Sequence, residues 1–480
     1  MKPTMDGSKT TPSDLYQYIF ELQKTTSIKW RSSTVKERSK RLENLQDWIS
    51  NNTQRIRQAL YEDFKKPFPE TDLSEIYPVT SEIKHTLKNL KSWMKSKKVS
   101  SSLSMSGTKG KIVYEPKGVS LIISPWNYPF SLAIGPLVSA LAAGCPVILK
   151  PSEMTPHTSG LIQNMVVEIF DKSEVSVFNG DAEVSQALLQ LPFDHVFFTG
   201  SPTVGKIIME AAAKQLSSIT LELGGKSPTI VDYTADLKDA AYKIVSGKFL
   251  NCGQTCIAPD YILVHESVQE HFLMELKVAI QKMYDPDYEG IEKSKDLARI
   301  INLKNYNRLN SLLEDALQKG ANIEFGGTKN PETLYIEPTI VTNLDESMEI
   351  MREEIFGPIL PIIPFKLISE AISIINNKPK PLALYYFGEE NETSEKVIQE
   401  TSSGNTVLND CVLHYLHPNL PFGGVNNSGI GKAHGYFGYL AFSNEKGVLK
   451  QRIGFNNSTL VKPPYDIKTQ KIISTLIKWL

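Results

Sequence analysis

Cys256 is the side chain whose sequence neighbours best fit covalent chemistry. It closes the polar, glycine-containing segment NCGQTC at 251–256. The thiolate is the reactive form of cysteine, and an electropositive, partly exposed setting lowers the thiol pKa from its free value of about 8.5. A polar loop with a glycine can supply exposed backbone N–H groups to such a thiolate. We therefore predict that Cys256 is a nucleophile.

A zinc site is the alternative interpretation of this segment, because Cys252 lies close before Cys256. Structural zinc takes four ligands, and the His-x-x-His pair at 414–417 is far away in sequence. We therefore predict no bound metal. Cys145 and Cys411 are interpreted as small core residues.

Glu222 lies between two leucines at the predicted end of a strand, in LELGGKSP at 221–228. A carboxylate is costly to bury unless a function or a partner holds it there. Carboxyl groups in such settings often act as general bases, and Glu222 is a candidate for that role. The alternative is that strand alternation points its side chain to solvent.

Apolar runs alternate with helical patterns between Val119 and Leu223, and this alternation predicts the fold. The predicted strands are 119–124, 147–150, 175–179, 195–199 and 219–223, and the predicted helices are 131–143, 157–170, 182–191 and 204–214. Strands separated by helices form a parallel sheet with right-handed crossovers. We therefore predict a doubly wound α/β domain whose ligand crevice lies beyond the carboxyl ends of the strands. A second α/β region is predicted over 227–420.

Two of these strand ends carry residues suited to a dinucleotide. The fingerprint G-x-G-x-x-G follows none of the predicted strands. Instead, Gly200, Ser201 and Gly205 open a predicted helix, where backbone N–H groups can approach a pyrophosphate. Lys150 and Glu153 follow another strand and could hydrogen-bond ribose hydroxyls. The alternatives are a turn whose glycines serve geometry alone and a solvated ion pair.

Composition and charge exclude several classes of protein. The 52 Lys and Arg residues against 53 Asp and Glu residues give a net charge of −1, so the chain has no field that would attract nucleic acid. The start lacks the apolar segment of a secretory signal, which predicts a cytoplasmic location. No uncharged apolar run reaches the length of a spanning helix. A helical pattern covers 14–98, and the polar run 100–111 predicts a linker or arm.

Seven segments together resemble the aldehyde dehydrogenase superfamily, in the order found in that family. They are PWNYPF at 125–130, KPSE at 150–153, GSPTVG at 200–205, LELGGKSP at 221–228, NCGQTC at 251–256, EEIFGP at 353–358 and LPFGG at 420–424. Three features are similar to the class 3 branch, which includes the fatty aldehyde dehydrogenases. They are TLELGGKSP at 220–228, CGQTCIAPDY at 252–261 and KPPY at 462–465.

The resemblance implies a role for each matching residue. Cys256 would be the nucleophile, Glu222 the base that activates water, and Asn127 a donor to the oxyanion beside the Cys256 backbone N–H. The residues implied to bind the cofactor are Trp126, Lys150, Glu153, Gly200, Ser201, Gly205, Glu354 and Phe356. The implied reaction is the oxidation of an aliphatic or aromatic aldehyde to a carboxylic acid through a thiohemiacetal and a thioester, with NAD or NADP. A CoA-acylating enzyme and a non-catalytic relative are the alternatives.

The resemblance also implies a domain organisation and a homodimer. Residues 1–98 and 112–223 would form the cofactor-binding domain, and 224–420 the catalytic domain. Residues 99–111 and about 445–460 would form an oligomerisation arm. In the amphipathic tail 461–480, the apolar side chains of Ile472, Ile473, Leu476 and Ile477 share one helical face. The tail would dock on its own domain or a partner, cap a substrate tunnel, or lie on a membrane surface.

Overall fold

The computed structural model describes residues 12–102, 105–454 and 456–479, and parts of the predicted arm and tail lie outside these ranges. Two mainly parallel sheets flanked by helices form the core of the fold. The helices are Pro12–Trp30, Val35–Asn51, Thr53–Phe64, Phe68–Thr71, Tyr77–Trp93, Ser131–Ala143, Pro156–Ile169, Ala182–Leu188, Pro202–Gln215, Leu237–Phe249, Gln269–Tyr284, Leu303–Gln318, Glu349–Arg352, Ile368–Asn376, Glu392–Glu400, Gly435–Ala441 and Ile467–Trp479. A π-helical turn, Asp72–Ile76, joins the fourth and fifth of them.

The first sheet has six strands and is the doubly wound sheet predicted from the sequence. Its strand order is Gly429–Ile430, Ser218–Leu223, His195–Gly200, Ser120–Ile123, Val147–Lys150 and Val175–Val177, with only the first strand antiparallel to its neighbour. The chain runs outward from Ser120–Ile123 and then returns to its other side. The switch point therefore lies where Ile123 and Gly200 end, and a ligand crevice is expected there.

The second sheet has seven strands and follows the first directly along the chain. Its order is Asn322–Phe325, Thr339–Thr342, Ile359–Phe365, Tyr261–His265, Pro228–Val231, Ala383–Phe387 and Asn405–Leu408. Only the edge strand Asn322–Phe325 is antiparallel. Lys329–Asn330 and Tyr335–Ile336 form a separate two-stranded ribbon.

The two sheets meet end to end, and this arrangement creates the site. Glu222 lies at the carboxyl end of the strand Ser218–Leu223, and the short turn 224–227 leads into the second sheet at Pro228. The loop that carries Cys256 precedes the strand Tyr261–His265 and so lies at the amino edge of the second sheet. Carboxyl ends of one sheet thus face amino ends of the other.

A third, antiparallel sheet of three strands borders the region predicted as a linker or arm. Ser443–Lys450 pairs along its whole length with Lys109–Pro116, which also pairs with Lys97–Val99. The helical pattern predicted over 14–98 is wrong at its end, because the helix ends at Trp93 and Lys97–Val99 pairs as a strand, so backbone pairing overrides local polarity there. The linker or arm predicted at 100–111 leads into the strand Lys109–Pro116. Among the described residues, no helix is long and apolar enough to cross a bilayer.

Candidate active site

A run of left-handed backbone shapes the loop that carries Cys256. Asn251, Cys252 and Gly253 all have positive φ, at 53°, 54° and 75°. A Cβ at residue 253 would lie 2.3 Å from the carbonyl oxygen of Gly357, so glycine is required there on steric grounds. This close approach brings the Cys256 loop against the loop that contains Glu354 and Phe356.

Cys256 lies where two cavities meet. One is a cavity of about 230 Å³ lined mainly by carbon, which we call the apolar channel; its walls include Tyr128, Leu250 and Leu413. The other is a space of about 40 Å³, the inner cavity, which Cys256 shares with Glu222. The thiol therefore faces an entry path for an apolar molecule on one side and a buried carboxyl group on the other.

The electrostatic setting of Cys256 differs from the prediction. Burial, followed by the carboxylates of Glu354 and Glu222, raises the pKa of the thiol to about 12. The backbone N–H groups of Cys256 and Ile257 act in the opposite direction and stabilise the thiolate. The expected electropositive pocket is thus absent among the described residues, since the charged side chains that act most strongly on the sulfur are acidic.

Glu222 is buried, so the alternative that strand alternation exposes it is wrong. Neither carboxylate oxygen has a hydrogen-bond partner within the described part of the chain. Burial raises the pKa of Glu222 well above its usual value, and the ammonium of Lys432 partly offsets this. A carboxyl group in this state accepts a proton readily, as a general base must.

Asn127 is held beside the same loop by three hydrogen bonds. Its side-chain Nδ2 donates to the carbonyl of Gln254 at 3.1 Å. Its own carbonyl accepts from Asn251 Nδ2 at 2.8 Å and from Lys66 Nζ at 3.5 Å. A side-chain amide has two hydrogens, and the contact with Gln254 uses one of them. The other can serve an oxygen that develops charge near the sulfur.

The sequence did not predict the charged residues that lie against this loop. Lys66 and Glu75 form a fully buried ion pair at 2.9 Å, and Glu75 also accepts from the backbone N–H of Ser131 at 2.8 Å. Glu70 accepts from the backbone N–H of Asn251 at 2.9 Å. In the sequence these residues lie within the helical pattern predicted over 14–98, and nothing there distinguishes them from surface charges.

The residues expected to hold adenosine and pyrophosphate lie at the carboxyl edge of the first sheet. Lys150 is buried and pairs with the exposed Glu153 at 2.8 Å. Ser201 caps the helix Pro202–Gln215 through Val204 N–H at 3.4 Å. A Cβ at residue 205 would lie 2.8 Å from Leu223, so Gly205 permits the helix to pack on the sheet.

Trp126, Glu354 and Phe356 form the other side of this crevice. The rings of Trp126 and Phe356 meet edge to face with centroids 5.4 Å apart. Glu354 Oε1 is buried without a hydrogen-bond partner among the described residues, and burial raises the pKa of its carboxyl to about 8. An orphaned buried oxygen of this kind fits a ligand hydroxyl. The ion pair of Lys150 and Glu153 beyond a strand end, the N-terminus of the helix Pro202–Gln215 and the orphaned Glu354 oxygen suit a nicotinamide dinucleotide.

The loop around Glu354 is fixed by a buried ion pair that the sequence analysis also missed. Lys226 pairs with Asp260 and donates to the carbonyls of Ile350 at 2.8 Å and Glu353 at 2.9 Å. Asp260 in turn accepts from the backbone N–H of Ile355 at 2.8 Å. Lys226 belongs to the motif LELGGKSP at 221–228, but the motif does not indicate which residues it contacts.

The zinc alternative finds no support in this geometry. Cys252 belongs to the hydrophobic core of the second sheet. Across the described ranges, no group of three or more His, Cys, Asp or Glu residues is arranged to hold a metal ion.

Sequence and structure comparisons both find aldehyde dehydrogenases. The sequence profile of the aldehyde dehydrogenase family matches residues 4–448. The 4,4'-diaponeurosporen-aldehyde dehydrogenase of Staphylococcus aureus is 43% identical over 95% of this chain and 96% of its own length. Aldehyde dehydrogenase family 3 member A2 of Pongo abelii is 41% identical over 90% of this chain and 88% of its own. A substrate-bound structure of Staphylococcus aureus AldH superposes with a TM-score of 0.91 at 42% identity, over 96% of this chain and 99% of that one.

Proposed function

The chain belongs to the aldehyde dehydrogenase family, and from that premise we propose that Cys256, Glu222 and Asn127 carry out its reaction. The enzyme is an NAD(P)-dependent dehydrogenase that oxidises aldehydes to carboxylic acids, and its relatives include family 3 members. The single observation that carries the proposed roles is that Cys256 lines both the apolar channel and the inner cavity that contains Glu222.

In the first half of the reaction, Cys256 adds to the aldehyde carbon. The thiol releases its proton to solvent, the carbon–sulfur bond forms as the C=O π bond opens, and the carbonyl oxygen becomes an oxyanion. Asn127 Nδ2 and the Cys256 backbone N–H donate to that oxyanion, and such fixed donors favour the tetrahedral state over the planar aldehyde. The pair acts without reorganisation because Asn127 is already held by Gln254 and Asn251.

Cofactor binding is assigned to the residues on both sides of the crevice. Lys150 and Glu153 would hold the adenosine ribose, the turn of Gly200, Ser201 and Gly205 the pyrophosphate, and Glu354 the nicotinamide ribose, with Trp126 and Phe356 beside the ring. When bound, the oxidised nicotinamide would supply a positive charge and the acceptor for the hydride that the tetrahedral oxyanion loses as it becomes the thioester. We propose that such a charge lowers the pKa of the Cys256 thiol, which the acidic setting otherwise keeps high.

In the second half, Glu222 removes a proton from water. The water oxygen attacks the acyl carbon of the thioester, the carbon–sulfur bond breaks, and the sulfur leaves as a thiolate. The position of Glu222 in the inner cavity supports this role, because the cavity opens on Cys256 and has room for water. The oxyanion formed in this step again has Asn127 as a donor.

The apolar channel favours aldehydes with aliphatic or aromatic bodies. Because its volume is about 230 Å³ and its walls are mainly carbon, burial of an apolar chain in it is favourable. Polar groups occur at one part of the lining, where Lys243 and Asp410 contribute. We propose that the aldehyde carbon reaches Cys256 while the apolar body fills the channel.

The assembly is proposed to be a homodimer built through the three-stranded sheet. That sheet, made by Lys97–Val99, Lys109–Pro116 and Ser443–Lys450, projects edge strands that a second copy can pair with. The six-stranded sheet with the N-terminal helices serves as the cofactor domain, and the seven-stranded sheet as the catalytic domain. All four cysteines are free thiols, which supports a reducing, cytoplasmic compartment.

The test is an absorbance assay of reduced cofactor with a panel of aliphatic and aromatic aldehydes. Cys256→Ala should abolish turnover, and Cys145→Ser, a buried thiol outside the site, should leave it unchanged. Glu222→Gln should retain a burst of reduced cofactor and then slow. Full steady-state activity of Cys256→Ala or Glu222→Gln would refute the assigned role, and acyl-CoA formation on addition of CoA would refute hydrolysis as the second half.

A further inference from the structure

A second small cavity continues the inner cavity toward the helix Tyr77–Trp93. This space, the outer cavity, measures about 20 Å³, and Glu82 lines it together with Pro78 and Ser81. Gly135, Tyr415 and His434 line both cavities. His434 therefore stands between Glu222 on one side and Glu82 on the other.

The two cavities are large enough to hold a few bridging water molecules. A buried water needs roughly 10–15 Å³ of this measure of space, so the outer cavity can hold one molecule and the inner cavity two or three. The polar partners that such water needs are present, since Glu222, His434, Glu82 and Tyr415 all line these spaces.

The backbone at His434 holds the imidazole between the cavities at a conformational cost. Its φ of 68° and ψ of 144° lie in a region that glycine adopts freely and other residues avoid, with a typical cost of about 1–3 kcal/mol. The next backbone N–H, that of Gly435, donates to Glu82 Oε1 at 2.7 Å. This bond ties Glu82 to the same turn and leaves its second oxygen for the outer cavity.

We propose that His434 and Glu82 carry to solvent the proton that Glu222 removes from water. The inference rests on the proposed role of Glu222. After water has added to the thioester, the Glu222 carboxyl group passes its proton through water in the inner cavity to one nitrogen of His434. The other imidazole nitrogen releases a proton through the outer cavity to the Glu82 carboxylate, which loses it to solvent. Glu222 is then a carboxylate again, and one proton has left the protein.

The charged and titratable groups around His434 are compatible with this transfer. They are Glu222 and Cys256 across the inner cavity, Glu82 across the outer cavity, Tyr415 with its ring 4.6 Å away, His414, Lys432, and His85 beside Gly435. Burial lowers the pKa of His434 to about 4, so the imidazole is neutral and can accept at one nitrogen while it releases at the other. Burial raises the pKa of Glu82 to about 7, which suits an exchange with solvent near neutral pH.

The decisive variant is His434→Gly, because glycine fits the backbone without strain and the variant should fold. Stopped-flow measurement should show an unchanged burst of reduced cofactor and a steady-state rate about a hundredfold lower, at the lower end of the usual range for loss of a proton-transfer group. Free imidazole should restore the rate in a dose-dependent manner, and the solvent deuterium effect on the steady-state rate should increase. Glu82→Gln should slow the same phase, most strongly above pH 7.

The matched control is His195→Asn, since His195 is a buried histidine at the amino end of the strand His195–Gly200 and lines neither cavity. It should leave burst, steady-state rate and imidazole response unchanged. A normal steady-state rate in His434→Gly, or a low rate that imidazole does not restore, would overturn the relay. If Glu222→Gln also turned over normally, the proposed role of Glu222 would fail as well, and the two failures are thereby distinguished.

Discussion

The backbone N–H of Asn251 donates to the carboxylate of Glu70 at 2.9 Å, and this bond fixes the start of the loop that ends at Cys256. Asn251 and Cys252 both adopt left-handed backbone conformations, which non-glycine residues keep only when their surroundings enforce them. Glu70 belongs to the short helix Phe68–Thr71, far from the loop in sequence. A helix of the N-terminal layer therefore determines the geometry of the nucleophile loop.

We expect Glu70→Ala to lower kcat about tenfold, because the Asn251 N–H loses its acceptor and an unsatisfied donor costs about 1–3 kcal/mol. Glu70→Gln keeps a carbonyl oxygen in reach and should recover most of the activity. Steady-state kinetics with thermal melts of all three proteins measures the effect. Equal losses in both variants would show that the charge of Glu70, rather than the hydrogen bond, matters.

The acidic setting of Cys256 predicts slow alkylation in the cofactor-free enzyme. Its thiol pKa of about 12 leaves little thiolate at neutral pH, so the rate with iodoacetamide should rise continuously from pH 7 to 10. At pH 8.5, Glu354→Gln and Glu222→Gln should each accelerate alkylation several-fold, because removal of a negative charge lowers the thiol pKa. Adding NAD should have the same effect as these substitutions.

Mass spectrometry of the labelled Cys256 peptide provides the rates. Glu353→Gln is the matched control, because Glu353 is exposed and is adjacent to Glu354 in sequence. A plateau of the rate below pH 8 would contradict the high pKa and would indicate a cationic group near the sulfur other than those found among the described residues.

The sequence predicted the first sheet well because its signal is local. The helix 131–143 and the strand 147–150 were predicted at the bounds observed, since both are mainly apolar and Gly144 and Pro151 follow directly after them. The family motifs likewise placed Cys256 and Glu222 together, and the two line one cavity. The spacing of apolar residues and the termination of elements by glycine and proline are both properties of a few consecutive residues.

The missing parts depend on contacts that no local pattern encodes. From the sequence alone, Lys66 and Glu75 would be taken for exposed charges of the helical region. In the structure both side chains are fully buried, and Lys66 donates to the carbonyl of Asn127. No sequence pattern distinguishes His434 from other polar loop residues. Its position between two cavities depends on the folding of distant segments. The pKa of Cys256 was misjudged for the same reason, because Glu354 is distant in sequence and near the sulfur in space.

The carboxylate of Glu153 is expected to disfavour NADP relative to NAD, because it would repel the extra phosphate on the adenosine ribose. Glu153→Gln should raise the ratio of kcat/KM with NADP to that with NAD about fivefold, the equivalent of about 1 kcal/mol for an exposed charge pair. Glu210→Gln, an exposed charge on the helix Pro202–Gln215, is the control. An unchanged ratio would place the cofactor ribose away from Glu153.

The buried pair of Lys226 and Asp260 should control cofactor affinity through the loop that contains Glu354. Lys226→Met removes the ammonium that binds the carbonyls of Ile350 and Glu353 and leaves Asp260 buried without its partner. Loss of one member of a buried pair costs about 3–5 kcal/mol, so the melting temperature should fall and KM for the cofactor should rise. The double variant Lys226→Met with Asp260→Leu should recover part of the stability, because no uncompensated charge remains. It should not recover KM, because the carbonyls of Ile350 and Glu353 still lack their donor and the Ile355 N–H has now lost its acceptor. Calorimetry and cofactor titrations of the three proteins separate the two effects, and recovery of both together would show that Asp260 does not position the loop.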